Sequence, residues 1–184
     1  MSGFYSEEEL KGLRLKSFGK NVLISRKCSI YKAEKISVGN NVRIDDFCIL
    51  SGEITIGNYV HISAFNALYG AFGIKIGNFC GISPRSTLFS ATDDFSGEYM
   101  ISPMVPNELT NVYGAKIVLN DFVQIGAGTV VLPGVVFGEG AVTGAMSLVK
   151  ENIPGWKIYA GIPAKKIKDR KKNILNLYKK IPIA

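Results

Sequence analysis

The chain has a single histidine, His61, and only three cysteines among its 184 residues. One histidine cannot supply the cluster that a catalytic zinc site needs. Cys28, Cys48 and Cys80 are odd in number and form no C-x-x-C pair, so neither a disulfide framework nor a zinc ribbon is expected. No apolar run approaches the roughly 20 residues of a membrane helix. The first ten residues are acidic and lack the apolar stretch of a signal peptide. The expectation is a soluble, cytoplasmic protein. Charge of one sign is also missing from most of the chain. Residues 165–184 hold eight Lys or Arg and one acid, Asp169, which accounts for the whole net charge of +7. The remainder has fourteen charges of each sign, so no nucleic-acid surface is expected. The basic tail leaves contact with a phosphate or a membrane surface open. With 47% apolar and 20% charged residues, the composition is that of an ordinary globular domain.

What the chain does have is a repeat of six. Val38, Ile44, Leu50, Ile56, Ile62 and Leu68 share that spacing. The series resumes at Ile76, Ile82 and Leu88, and again from Leu119 through Ile125, Val131, Phe137 and Thr143 to Val149. A small residue recurs four positions later, at Cys28, Cys48, Cys80, Ser86, Thr129, Ala141 and Ser147. Glycine often follows the aliphatic residue, as at Gly39, Gly57, Gly77, Gly126 and Gly138, where a turn is expected to need it. A helix would show a period near 3.6, and a sandwich would alternate. Each hexad therefore reads as one short strand and one turn, three hexads as one triangular coil, and the whole as a stacked solenoid.

The flanks break the period. Ser6 with Glu9 forms a capping box, so a short helix is expected over residues 6–13, within an N-terminal cap of residues 1–20. The solenoid then runs over residues 21–163, interrupted by a protruding loop at residues 89–116. Residues 164–184 read as a basic helix, with Ile167, Ile174 and Tyr178 on one face covering the open edge of the last coil.

The hexads, of the form [Ile/Leu/Val]-Gly-x-x-[small]-x, resemble those of the hexapeptide-repeat acyltransferases, and the resemblance covers about residues 21–165. The stretch from Ile158 to Lys165, with Ala160-Gly161-Ile162-Pro163-Ala164-Lys165, is similar to the close of the acetyltransferase branch. Val60-His61-Ile62-Ser63 and Gly73-Ile74-Lys75-Ile76-Gly77 look closest to members acting on sugars in bacterial surface-polysaccharide pathways. The resemblance implies an all-β solenoid, the left-handed parallel β-helix, in a homotrimer with active sites between subunits. It implies acetyl-CoA as cosubstrate along the C-terminal coils. Gly126, Ala127, Gly144, Ala145, Ala160 and Gly161 are the positions at which backbone would meet the pantetheine arm, and Lys150, Lys165 or Lys166 would face the phosphates. Gly138-x-Gly140 is no dinucleotide loop, since no strand–helix unit holds it.

Acyl transfer from a thioester needs a proton acceptor, and imidazole is the side-chain type that exchanges its proton near neutrality. His61 follows inward Val60 and so points outward, which makes it the expected base. Asp45 and Asp46 lie nearly one coil earlier; of the two, Asp46 is favoured as the site residue. Asn66, Asp93 and Asp94 are further candidates for binding the acceptor. The loop carries no histidine, which argues against the galactoside and antibiotic branches. The expected activity is acetyl transfer to a sugar, to the amino group of a nucleotide-linked amino sugar for surface glycan. O-acetylation of a sugar hydroxyl is the alternative, and a non-catalytic β-helix scaffold the remote one.

Overall fold

The computed structural model describes residues 3–181, which form a left-handed parallel β-helix. Its first face stacks seven parallel strands: Val22–Ile24, Val42–Ile44, His61–Ile62, Gly81–Ile82, Gln124–Ile125, Val142–Thr143 and Lys157–Ala160. The second face runs from Ser29–Tyr31 through Thr87–Phe89 and Val130–Val131 to Leu148–Val149. The third runs from Ser17–Phe18 and Ile36–Val38 to Ile117–Leu119 and Val136–Phe137. Two longer strands, Ile49–Ile56 and Ala67–Ile76, turn the corner between these two faces, so each contributes to both. The aliphatic hexad positions fill the interior; Ile44, Ile62, Leu68, Leu88 and Phe137 are wholly buried. The small positions lie beside them, with Cys48, Ser86, Thr129 and Ala141 also inside. Burial pushes the Cys80 thiol up to about 12, as befits a small interior group with no solvent to ionise into.

The glycines have a different reason from the expected one. The left-handed turn positions carry large side chains: Asn41, Tyr59, Phe79, Phe122 and Trp156 along one corner, Phe47, Phe65 and Arg85 along the next. Their rings stack from coil to coil, Tyr59 on Phe79 at 4.8 Å and Phe79 on Phe122 at 5.1 Å. Hexad glycines such as Gly57 are needed because successive coils approach too closely for a side chain. A Cβ on Gly57 would meet the carbonyl carbon of Gly77 at 2.7 Å. That approach lets a ladder form, in which the Asn58 amide oxygen accepts from the Asn40 N–H at 2.7 Å and Asn78 from Asn58 at 2.9 Å. Asp121 ends it, accepting from the Asn78 N–H at 2.7 Å. Gly57→Ala should therefore cost about 1–3 kcal/mol by overpacking. Gly12→Ala, whose Cβ meets nothing within 4 Å, should stay within about 0.5 kcal/mol of the parent. Chemical denaturation of the two variants checks this.

The N-terminal helix spans Glu7–Gly12 and has its capping box, with Ser6 and Glu9 bonded reciprocally. Arg26 also binds Glu9 at 2.6 Å. These hydrogen bonds, Arg26 first, hold the Glu9 carboxyl down at about 2, against an ordinary 4.5. A depressed carboxyl stabilises the folded form above the ordinary value and stops doing so as pH falls through the depressed one. The cap should therefore loosen between about pH 4.5 and 2, seen as faster amide exchange at residues 6–13 with the coils still protected.

The tail is corrected. Instead of one helix from residue 164, Lys165–Asp169 is a strand, antiparallel to Lys157–Ala160. It is this strand that covers the edge of the last coil, because only a strand can satisfy that row of backbone groups. The helix begins at Ile174 and ends at Leu177, followed by a 3-10 turn at Tyr178–Lys180; residues 182–184 lie outside the described part. It packs against the corner aromatics, Tyr178 lying 5.2 Å from Phe122. The loop leaves after Thr87–Phe89 and is pinned at its root by Ala91–Thr92, antiparallel to Tyr113–Gly114.

Candidate active site

Alternation along the first face turns Arg43, His61 and Gly81 outward in one column, paired in register. His61 is half exposed, and its Nε2 lies 2.7 Å from Asp45 Oδ2. The other Asp45 oxygen accepts from Arg43 Nε at 2.7 Å. Burial raises the Asp45 carboxyl, but the Arg43 and His61 hydrogen bonds outweigh it and hold it below the usual carboxylate range. An ionised Asp45 accepts the Nε2–H, which leaves the Nδ1 lone pair of His61 for a proton from outside the chain. The Gln124 amide fills the space that a Gly81 side chain would take, and its Nε2 donates to the Phe79 carbonyl. Arg43 and Gln124 escaped the sequence reading, although spacings of 18 and 20 residues already put 43, 61 and 81 in one column.

Two candidates change place. Asp46, favoured over Asp45, faces away from His61: it binds the buried Ser25 hydroxyl and Lys27 Nζ, the latter at 2.9 Å. Those bonds, Ser25 first, lower its carboxyl. Asn66 is corrected from substrate binder to interior strut, being 1% exposed. Its amide donates to the Ser63 and Ile82 carbonyls and accepts from the Ser86 N–H, joining adjacent coils.

The loop acids differ from each other. Asp94 is occupied, accepting from the Ser96 N–H at 2.8 Å and from Asn111 Nδ2 at 2.8 Å, and Ser96 chiefly lowers its carboxyl. Among the described residues, no hydrogen bond or ion pair reaches the Asp93 carboxylate. It lines a pocket of about 280 Å³ at the loop root. That pocket and His61 belong to different sheets of the solenoid.

Of the positions expected along the cosubstrate, Gly126, Gly144 and Ala160 stack in one outward column above Ser83, each one coil from the next. The stack itself needs them small: a Cβ on Gly144 would sit 2.8 Å from that of Ala160, and one on Gly126 would strike the Gly144 backbone. Ala127 and Gly161 lend carbonyls to the Met146 and Leu148 N–H groups. Ala145 is exposed. Lys150 and Lys165 share a cleft of about 170 Å³ with Tyr159 and Pro163. Lys166 is instead held by Asp169 at 2.9 Å.

A seven-coil β-helix with an outward, carboxylate-oriented histidine and a long loop defines a repeat-built transferase scaffold. No family model matches the chain. It is 42% identical to a dTDP-4-amino-4,6-dideoxy-D-glucose acyltransferase of Escherichia coli, over 95% of this chain and 92% of that one. A crystal structure of a serine-to-cysteine variant of AntD, an N-acyltransferase from Bacillus cereus, in complex with dTDP-4-amino-4,6-dideoxyglucose and coenzyme A, superposes with a TM-score of 0.95 at 52% identity, covering 97% of this chain and 96% of that one. AntD has also been seen with dTDP and 3-hydroxybutyryl-CoA. A hexapeptide-repeat acetyltransferase from Vibrio cholerae shares the fold at 20% identity, with a TM-score of 0.60 over 91% of this chain and 82% of that one. The chain belongs to the hexapeptide-repeat acyltransferases.

Proposed function

We propose that this protein transfers an acyl group, acetyl or a short homologue, from its CoA thioester to the amino group of a dTDP-linked 4-amino sugar. The observation that carries this reading is the exposed His61, oriented by an ionised Asp45, in a chain similar to enzymes of that activity. AntD structures include variants in which a serine or an aspartate is replaced, at positions ten residues apart. Ser83 and Asp93 are the one serine–aspartate pair in this sequence with that order and separation. Ser83 lies on the same outward face as His61, one coil further on, and the Asp93 carboxylate has no partner among the described residues.

His61 and Asp93 sit on different faces of one chain, so a single copy does not bring them together. The reading is therefore of a homotrimer, the Asp93 loop of one copy reaching the His61 face of the next. The loop supports this, since Met100, Ile101 and Met104 are 53%, 49% and 89% exposed and call for an apolar partner surface. In the assembled site Asp93 holds the substrate ammonium. His61 takes its proton, and the amine lone pair attacks the thioester carbonyl. A tetrahedral oxyanion forms with a cationic nitrogen; as it collapses, that nitrogen gives up its second proton and the departing CoA thiolate takes it up, leaving as the thiol. Gly126, Ala127, Gly144, Ala145, Ala160 and Gly161 border the pantetheine path, and Lys150 and Lys165 meet the phosphates. Lys166, paired with Asp169, supports them from outside. The reading is of a cytoplasmic enzyme whose product serves surface glycan.

The test is turnover of dTDP-4-amino-4,6-dideoxyglucose with acetyl-CoA, set beside a 4-hydroxyl analogue. Activity on the hydroxyl sugar alone would replace the reading with O-acetylation. Light scattering should give a mass near three times 20.0 kDa, and a stable, active monomer would end the shared-site model.

A further inference from the structure

The pocket at the loop root is lined by Phe89, Ala91, Thr92, Asp93, Phe95 and Leu132. Its walls are apolar apart from Asp93 and Thr92, and the Thr92 hydroxyl is turned to the Asp93 carbonyl. Phe89 is a fixed wall, stacked on Tyr69 at 5.4 Å. Leu132 is fixed from the other side, its N–H donating to the Val149 carbonyl at 2.9 Å. A carboxylate with no hydrogen bond or ion pair among the described residues thus borders an apolar recess between Phe89 and Leu132.

We propose that this pocket reads the deoxygenated C6 of the acceptor, taking its methyl group against Phe89, Phe95 and Leu132 while Asp93 holds the neighbouring amine. The inference rests on the proposed acyl transfer to a 4-amino sugar. In a 4-amino-4,6-dideoxyhexose the nitrogen and the methyl group hang from adjacent ring carbons. A site for that pair must set a carboxylate next to an apolar wall, which is the arrangement at Asp93. A hexose that keeps its C6 hydroxyl would turn an O–H group toward Phe89, Phe95 and Leu132, which offer it no hydrogen bond. Such a pocket rejects an added hydroxyl only moderately, so the preference should be about 10–100-fold. Phe89, Phe95 and Leu132 are then specificity-determining residues, distinct from the groups that handle the proton.

The experiment compares kcat/KM for dTDP-4-amino-4,6-dideoxyglucose and dTDP-4-amino-4-deoxyglucose at saturating acetyl-CoA. The parent should favour the dideoxy sugar by about 10–100-fold. Leu132→Ser and Phe95→Ser should each narrow that ratio several-fold, mainly by losing the dideoxy sugar. Phe95 is 76% exposed, so its variant removes a pocket wall without a buried contact on which folding depends. Equal use of the two sugars by the parent would overturn the pocket assignment and leave amine acylation standing. Turnover of neither sugar would overturn the function itself. A full preference kept in both variants would place the C6 subsite elsewhere.

Discussion

Asp93→Asn should lower kcat/KM for the amino sugar by about 10²–10³-fold while acyl-CoA affinity stays unchanged. Asparagine keeps the shape of the side chain and removes the charge that meets the substrate ammonium. Losing one member of a desolvated, hydrogen-bonded charge pair typically costs about 2–5 kcal/mol. The neighbouring residue is the control. Asp94 accepts from Ser96 and Asn111 within the loop, so Asp94→Asn should disturb loop geometry and cost less than about tenfold, the scale of one ordinary hydrogen bond. Steady-state kinetics on both variants, with acyl-CoA affinity measured by calorimetry, separates the two acids. Equal losses would mean that the loop acts as a positioned unit and that Asp93 has no direct part in binding the amine.

The solenoid was legible because its physics is local and repeated. A coil can close only if every sixth side chain enters a narrow interior, and fifteen hexads kept that rule in plain view. What lay between the coils was less visible. Hexad glycines looked like turn residues, yet the left-handed positions belong to Tyr59, Phe79 and Phe122, whose rings stack along the corner. A sequence shows that Gly57 is small but not that the Gly77 backbone lies within 3 Å of its missing Cβ. The tail misled for a related reason. Apolar residues at 167, 174 and 178 suit a helix, but the open edge of the last coil recruits Lys165–Asp169 as a strand and overrides that pattern. In the site, the outward direction of His61 followed from alternation. The choice between Asp45 and Asp46 did not, because both lie near it in the chain and only the turn after Ile44 decides which carboxylate meets the ring. Asn66 shows the same limit, since a buried amide strut and a substrate amide are the same letter. The two loop acids are likewise told apart only by partners, Ser96 and Asn111, that fold back onto Asp94.

His61→Ala should lower kcat by about 10²–10⁴-fold, the usual worth of a positioned general base, with acyl-CoA binding nearly unchanged because the proposed CoA path runs along later coils. The size of the loss depends on the acceptor. A hydroxyl must lose its proton during attack, whereas an amine needs only to shed its extra proton beforehand. With the amino sugar, therefore, the deficit of the variant should shrink as pH rises and free amine becomes available. Asp45→Asn should follow in the same direction with a smaller loss. The imidazole remains, but an amide in place of the carboxylate no longer selects the tautomer that presents Nδ1. Arg43 and His61 hold the Asp45 carboxyl below the usual range, so the parent should keep this orientation down to mildly acidic pH. The measurement is a set of pH–rate profiles for the parent, His61→Ala and Asp45→Asn with one amino-sugar acceptor. An unaltered kcat in His61→Ala across about pH 6–9 would move proton removal to Asp93.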